Sequence, residues 1–325
     1  LRGKNLKGLK AMEGHLKSIV KAYLDQKGAA AVLVCLAIVA LMGMAALAID
    51  VGMLFATRIK LSNAADASVL AGVRELPADP SKAVNVASQY TLLNDLQTGE
   101  TVFQVSADKR SITGQASRTM DLFFARVLGF DKKQLNVSAT ARISPMSGAY
   151  GVVPFGVADN NYSFGDVQVL KYGASFDKPL PPGQYAPIEL GGNGASTYKY
   201  NISHGYNGLI KVGDVIPVET GNMVGPTRQG IQDRVNGCRH SPPCTISGYH
   251  EGCSRILIVP LGYNSPDPGS NGKFTVTGFA AFLVADAPNN GGQGEVNGTF
   301  IKYVAPGVNS GNANDRGVYV AELVE

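Results

Sequence analysis

From Gly28 to Ile49 the chain runs 22 residues without a charge, GAAAVLVCLAIVALMGMAALAI. As a helix rising 1.5 Å per residue this run is about 33 Å long, enough to cross a hydrocarbon core of about 30 Å. It predicts one transmembrane helix over residues 28–49. A secretory signal would have a shorter apolar core, about 7–15 residues, followed by a small-residue cleavage site. Here Asp50-Val-Gly-Met-Leu-Phe-Ala56 continues the helix instead, and 22 uncharged residues argue against a buried core helix. The helical pattern carries on to Leu76, where Pro77 and Pro80 are expected to stop it.

Other periodicities divide the rest of the chain. Leu6, Leu9, Met12, Leu16 and Val20 recur at spacings of three and four, which suits an amphipathic helix on the inner leaflet. A second helix is expected over 81–96 with Ala83, Val86, Ala87, Tyr90 and Leu93 on one face. Strands are expected at 101–107 and 111–120, joined by a turn at Asp108-Lys109-Arg110. A short helix at 121–130 would turn Leu122, Phe123, Val127 and Leu128 to its apolar side, and 134–143 alternates as a strand. Ser144-Pro-Met-Ser-Gly148 reads as a boundary. Beyond it come short strands at 152–157, 167–172, 209–212, 256–260, 273–285 and 298–305, with a helix at 226–235 opened by Pro226. The Gly-rich pieces 191–194 and 289–294 lack the Lys-Ser/Thr ending of a phosphate loop and read as turns.

Charge orients the anchor. Residues 1–27 hold seven Lys or Arg against Glu13 and Asp25, while the whole chain carries only +4, so the other 298 residues sum to −1. Basic flanks stay on the cytoplasmic side. The N-terminus is therefore expected inside and the bulk of the chain outside the cell membrane. A basic arm beside a bilayer points to anionic lipid. Without aromatic interleaving or a nucleic-acid motif, no nucleic acid is expected as a partner.

Cys35 lies in the membrane run and reads as a small apolar residue. Cys238, Cys244 and Cys253 crowd into one loop with His240 and His250. Three external cysteines allow one disulfide with one thiol left over, three inert thiols, or a metal held by Cys238, His240, Cys244, His250 and Cys253. The C-x5-C-x8-C spacing matches no common zinc pattern, so one disulfide is the simplest reading and neither metal nor cofactor is expected. No Ser-His-Asp order, paired-carboxylate signature or HExxH appears, so no enzymatic role is expected.

Residues 28–71 combine a starting Gly, the apolar run, Ile49-Asp-Val-Gly52 and Asn63-Ala-Ala-Asp-Ala67. This stretch resembles the N-terminal segment of the TadG-like branch of the Tad (Flp) pilus-assembly proteins. The stretch to Ile143 is consistent with pilin-like proteins of that system, and Gly221–Ile231 is similar to exported domains attached to such anchors. The resemblance implies a bacterial envelope protein that assembles, anchors or decorates an adhesive pilus. Two features depart from the family. Cleavage after Gly28 would leave Leu33 where prepilins carry Glu, which argues against a major subunit. The D-x-S-x-S motif of larger members is missing, so no adhesion metal is carried over.

Ala48, Gly52 and Ala56, preceded by Gly43, form a small-residue series at the outer end of the anchor, where two membrane helices can approach closely. Ala64, Ala67 and Ala71 repeat the spacing outside. With Asp50, Asn63 and Asp66 these are the candidate helix-packing residues, Asp50 marking the outer membrane boundary. The expected fold is α+β, with a basic arm (1–27), a membrane helix (28–49), a pilin-like α/β neck (50–143) and a mostly β exported domain (144–325). Its expected partners are the lipid bilayer, other pilin-like or Tad-system membrane proteins, and further copies of itself. A surface adhesin or glycan-binding module on the same anchor, and a membrane-tethered Cys/His or metal-dependent enzyme, are the alternatives.

Overall fold

The computed structural model describes residues 4–159, 163–172, 184–221, 223–265, 272–286, 294–311 and 313–324. It has a long apolar N-terminal helix followed by a mostly β region. In chain order the elements are α1 (Lys4–Val73), α2 (Pro80–Leu93), β1 (Thr101–Val105), β2 (Ser111–Asp121), β3 (Lys132–Pro145), β4 (Gly148–Ala149), β5 (Phe155–Ala158), β6 (Val167–Tyr172) and β7 (Gln184–Pro187). They continue as α3 (Ala195–His204), β8 (Ile210–Lys211), β9 (Val215–Pro217), α4 (Val224–Asn236), β10 (Ile256–Asn264), β11 (Lys273–Val284), β12 (Val296–Ile301), β13 (Tyr303–Val304), β14 (Gly307–Val308) and β15 (Val318–Val324). Residues 289–293 of the second Gly-rich turn, and the side chains of Leu6, Leu9, Met12 and Val20 on the expected apolar face of the arm, lie outside the described residues.

Two compact units emerge, and they do not divide at 144–148. One comprises the chain up to Asn63 with Ala116–Val137; the other comprises Ala64–Gln115 and Ser138 onward. The expected boundary fails because β15 returns and pairs antiparallel with β3, from Tyr319 opposite Pro145 to Val324 opposite Thr140.

The first unit is the anchor part of α1 and the far end of a β-ribbon. The amide of Leu122 donates to the carbonyl of Asp131 at 2.9 Å and closes the ribbon's tip. A single 3-10 turn, Ala125–Leu128, replaces the expected helix over 121–130. Leu122 and Ala125 are buried, whereas Phe123, Val127 and Leu128 are exposed, so only Leu122 of the expected apolar face is buried. Gly129 at φ 87° ends the turn after barely one revolution.

In the second unit the end of α1 packs on α2. α1 stops at Val73, three residues before the expected end. Pro80 starts α2 rather than stopping α1: it occupies the first turn, where its missing N–H costs nothing, and Asp79 caps the amide of Lys82 at 2.9 Å. The buried face of α2 is Ala83, Ala87 and Thr91, while Tyr90 and Leu93 are exposed. Close approach decides this. A Cβ on Gly72 would stand 2.6 Å from the Ala83 carbonyl and 2.9 Å from the Ala87 Cβ. Ser68 and Thr91 hydroxyls meet at 3.4 Å, each also bonded to the carbonyl four residues back.

A five-stranded sheet runs β1-β2-β3-β15-β13, and β14-β4-β8 form a small ladder. The third sheet, β10-β5-β7-β6-β12-β11, closes through β10–β11 pairing into a six-stranded barrel, with β9 added on β11. Alternation sorts its side chains. Phe155, Tyr185, Leu257, Val259, Phe282 and Phe300 share one core with Tyr198, Ile202 and Ile231 of α3 and α4, while Ile256, Ile258, Ala281 and Leu283 belong to another. The register slips after Leu261, leaving Thr277 as an extra residue on β11. The Thr277 hydroxyl donates to Asp159 at 2.7 Å, and Arg316 donates to the same carboxylate at 3.0 Å.

The seam between β3 and β15 carries a pH-sensitive clasp. Glu322 accepts from Arg142 at 2.9 Å and from Ser144 at 2.8 Å. These bonds, Arg142's foremost, hold its carboxyl below the usual glutamate value. A depressed carboxylate stabilises above its unfolded pKa, and that contribution is lost as pH falls through the folded value. Hydrogen exchange of the β15 amides is expected to accelerate on acidification below the usual glutamate range, and Glu322→Gln is expected to flatten that dependence. Identical profiles for both proteins would remove Glu322 from the seam.

Candidate functional site

Asp50 ties the end of the apolar run to the ribbon tip of its unit. Asp50 follows the last apolar position of the run, and helical geometry turns its carboxylate toward the ribbon tip. There it accepts three backbone hydrogen bonds, Phe123 N–H to Oδ1 at 3.0 Å, Phe124 N–H to Oδ2 at 2.9 Å and Ala125 N–H to Oδ2 at 2.7 Å. These are the free amides that open the 3-10 turn, and a carboxylate is their natural cap. Asp50 is only 2% exposed. It is thus a structural clamp, and the Asp-x-Gly step gains a physical reason: the acid holds the turn while Gly52 leaves the surface beside it open.

The clamp sets an apolar collar beside the point where the charge-free run ends. Phe123, Phe124, Val127, Leu128 and Phe130 are all exposed, Val127 at 88%. Residues 28–49 of α1 are themselves exposed at nearly every position, as are Val51, Phe55 and Ile59 beyond them. The sequence pattern missed the collar, because a period-3.6 reading placed Phe123, Val127 and Leu128 with Leu122 on the apolar side of a helix and assigned Phe124 and Phe130 to no face. Their density, five large apolar side chains in eight residues, was the available signal.

The other packing candidates fall into two groups. Gly43, Ala48, Gly52, Ala56 and Asn63 are exposed, and a Cβ on Gly43 or Gly52 would meet nothing within 4 Å. Ala64 is buried, with Ala65, Ser68, Val69, Gly72 and Val73. Asp66, Ala67 and Ala71 are half-buried. The external small-residue face is therefore Ala64-Ser68-Gly72, not Ala64-Ala67-Ala71. It is filled by α2, whereas the small face of the anchor stays open.

The cysteine loop forms a second constellation, in the other unit. Sγ of Cys238 lies 3.6 Å from Sγ of Cys253 and 3.8 Å from Nδ1 of His240, which lies 3.4 Å from Sγ of Cys244. All four ligand atoms lie within 4.8 Å of one another, and the cysteines are free thiols. His250 stacks on His240 with ring centres 4.1 Å apart and reaches Cys244 at 3.5 Å. Amide donors, that of Cys244 foremost, bring the Cys238 thiol down to about 6, while burial pushes that of Cys253 up to about 12.

This loop is fastened to its surroundings. Glu251 forms an ion pair with Arg74, just past the end of α1. Gly252 N–H donates to the Tyr303 hydroxyl at 2.9 Å, and the Tyr249 hydroxyl donates to the Lys302 carbonyl at 3.2 Å.

Comparison with known proteins bears on the anchor alone. No curated protein and no solved structure gives a significant match. One family model matches, that of the "Putative Flp pilus-assembly TadE/G-like" family (Tad), over residues 28–75, which covers the membrane run, the Asp50 clamp and the small-residue helix up to its turn. Residues 28–75 are therefore similar to the TadE/G-like family of Flp pilus-assembly proteins, and they lie on a helix long and apolar enough to cross a membrane.

Proposed function

We propose that this protein is a non-enzymatic, single-pass envelope protein, N-terminus inside, that assembles or anchors a Tad/Flp-type pilus. The observation that carries this reading is the anchor within the matched segment, exposed at nearly every position among the described residues. Lipid-length and uncharged, it presents Gly43, Ala48, Gly52 and Ala56 on an open surface. Small residues at such spacing let another membrane helix come close, so pilin-like helices of the same system, or further copies of this chain, are the partners. The collar supports the same arrangement. Held at the polar end of the run, its three Phe, Val and Leu side chains rest in the interfacial layer of the bilayer and fix the depth of the anchor. The basic arm supports the orientation through the retention of Lys and Arg on the cytoplasmic side.

The test is to tag the C-terminus, shear the cells, and compare sheared pili with membranes. Full-length protein confined to membranes, with loss of pili when the chain is deleted, is the expected result. Protein recovered in the filament fraction would make it a decorating minor subunit instead. Unchanged piliation in the deletion strain would overturn the reading and favour a surface adhesin.

A further inference from the structure

We propose that Cys238, His240, Cys244 and Cys253 bind one zinc ion, and that this ion shapes the loop that fastens the end of α1 to β13. The geometry carries the assignment. Zinc binds cysteine sulfur at about 2.3 Å and histidine nitrogen at about 2.0–2.1 Å, almost always as a tetrahedron in structural sites. The edges of such a tetrahedron are about 3.8 Å between two sulfurs and about 3.5 Å between sulfur and nitrogen. The observed separations are 3.6 Å for Cys238–Cys253, 3.8 Å for Cys238–His240 and 3.4 Å for Cys244–His240. A disulfide would instead draw two sulfurs to about 2.05 Å and leave the third thiol and the imidazole without a task.

The surroundings suit thiolate ligands. The amides of Cys244 and His240 donate to Cys238 sulfur, that of Arg255 to Cys253 sulfur, and that of His250 to Cys244 sulfur at 3.4 Å. Every cysteine of the set thus has at least one backbone N–H aimed at it, the outer-shell support that holds charged sulfur in place. Cys244 and Cys253 are buried, and the set offers three thiolates and one imidazole with no carboxylate, a donor chemistry that selects zinc over the hard cations. His250 lies outside the tetrahedron: its Nδ1 reaches the sulfur of Cys244 at 3.5 Å, and its ring lies flat on that of His240. The role is structural, since four protein ligands leave no open position for a substrate. Between Cys244 and Cys253 the chain carries Tyr249, Glu251 and Gly252, which fix the loop to Lys302, Arg74 and Tyr303.

The experiment uses the full chain purified in detergent under reducing conditions. Metal analysis is expected to give about one zinc per chain. Cobalt(II) exchanged into the site is expected to show the visible absorption and thiolate charge transfer of a tetrahedral complex. Cys244→Ser and His240→Ala are expected to lose the metal on dialysis against a chelator, whereas His250→Ala keeps it. Because a ligand variant can fail to fold, wild-type chain from a second preparation, kept free of reductant throughout, is also alkylated after denaturation. Zinc ligation leaves all four cysteines free to react; a Cys238–Cys253 disulfide leaves only Cys35 and Cys244. Two labelled cysteines, or a folded wild-type chain that takes up neither zinc nor cobalt, would overturn the proposal.

Discussion

Gly262→Ala is expected to lower the stability of the barrel by about 3 kcal/mol or more, among the larger effects a single methyl group can have. Gly262 sits at the register slip between β10 and β11, where β10 also pairs with β5. A Cβ there would stand 1.9 Å from the Thr275 carbonyl oxygen and 2.9 Å from the Phe274 ring. The first obstacle is backbone, and it cannot swing aside without breaking the seam that closes the barrel. Trimming Phe274 in the same chain therefore does not rescue the variant; that ring also covers Gly156, with 2.8 Å left for a Cβ, and its loss adds a cavity cost of about 3–5 kcal/mol. For a unit of this size the Gly262 change corresponds to a fall in Tm of about 6–12 °C. Gly225→Ala, with nothing within 4 Å of its Cβ, serves as the control and is expected to stay within about 0.5 kcal/mol of wild type or slightly above it. Thermal melts followed by far-ultraviolet dichroism of the full chain decide the matter. Equal melting of Gly262→Ala and wild type would mean that β10 and β11 do not close the sheet in this register.

Asp50→Ala is expected to release the apolar collar while leaving the barrel intact. The substitution removes one acceptor group and strands three amides, those of Phe123, Phe124 and Ala125. Buried donors left without partners cost far more than the hydrogen bonds themselves contribute, so the turn opens rather than stay in place. Chymotrypsin reports on this directly, since Phe123, Phe124 and Phe130 become cleavable together. Cleavage within 123–130 is expected to accelerate about tenfold or more, with the fragment from Ser138 onward still protected. Asp50→Asn keeps one carbonyl oxygen for the amides but turns an NH2 toward the others, so its rate falls between. In cells the alanine variant is expected to make fewer pili, because the anchor loses its seat at the membrane surface. Unchanged cleavage and unchanged piliation would reduce Asp50 to a boundary marker.

The anchor was legible from the sequence because its requirements are local. Twenty-two uncharged residues answer to the solvent around one helix, and no distant contact is needed to interpret them. The same holds for β6, found over 167–172 as expected, for β3, where period-2 patterning survives in the middle of the strand, and for β11, found within its expected range. Local chemistry also placed α4 from Pro226 in its first turn, two residues late. Helix α3, preceded by Gly194 with no side-chain cap, and the short strand β7 carried too little local signal to be found.

What only the tertiary structure decided depends on residues far apart in the chain. Asp50 is a clamp because amides 73–75 positions away donate to its carboxylate, which no spacing in the sequence reveals. The buried face of α2 shifted from Tyr90 and Leu93 to Thr91 because Ser68 and Gly72 bring the helices too close for larger side chains. The domain boundary vanished because β15 pairs with β3, and the barrel closed through one slipped residue, Thr277. The Cys/His loop shows the same limit: its C-x5-C-x8-C spacing fits no familiar pattern, yet the fold brings three sulfurs and one nitrogen within 4.8 Å. Sequence by itself sets the helix and strand periods and the solvent each segment needs. Which groups finally share a hydrogen bond, a seam or a ligand sphere is settled when segments distant along the chain compete for the same space.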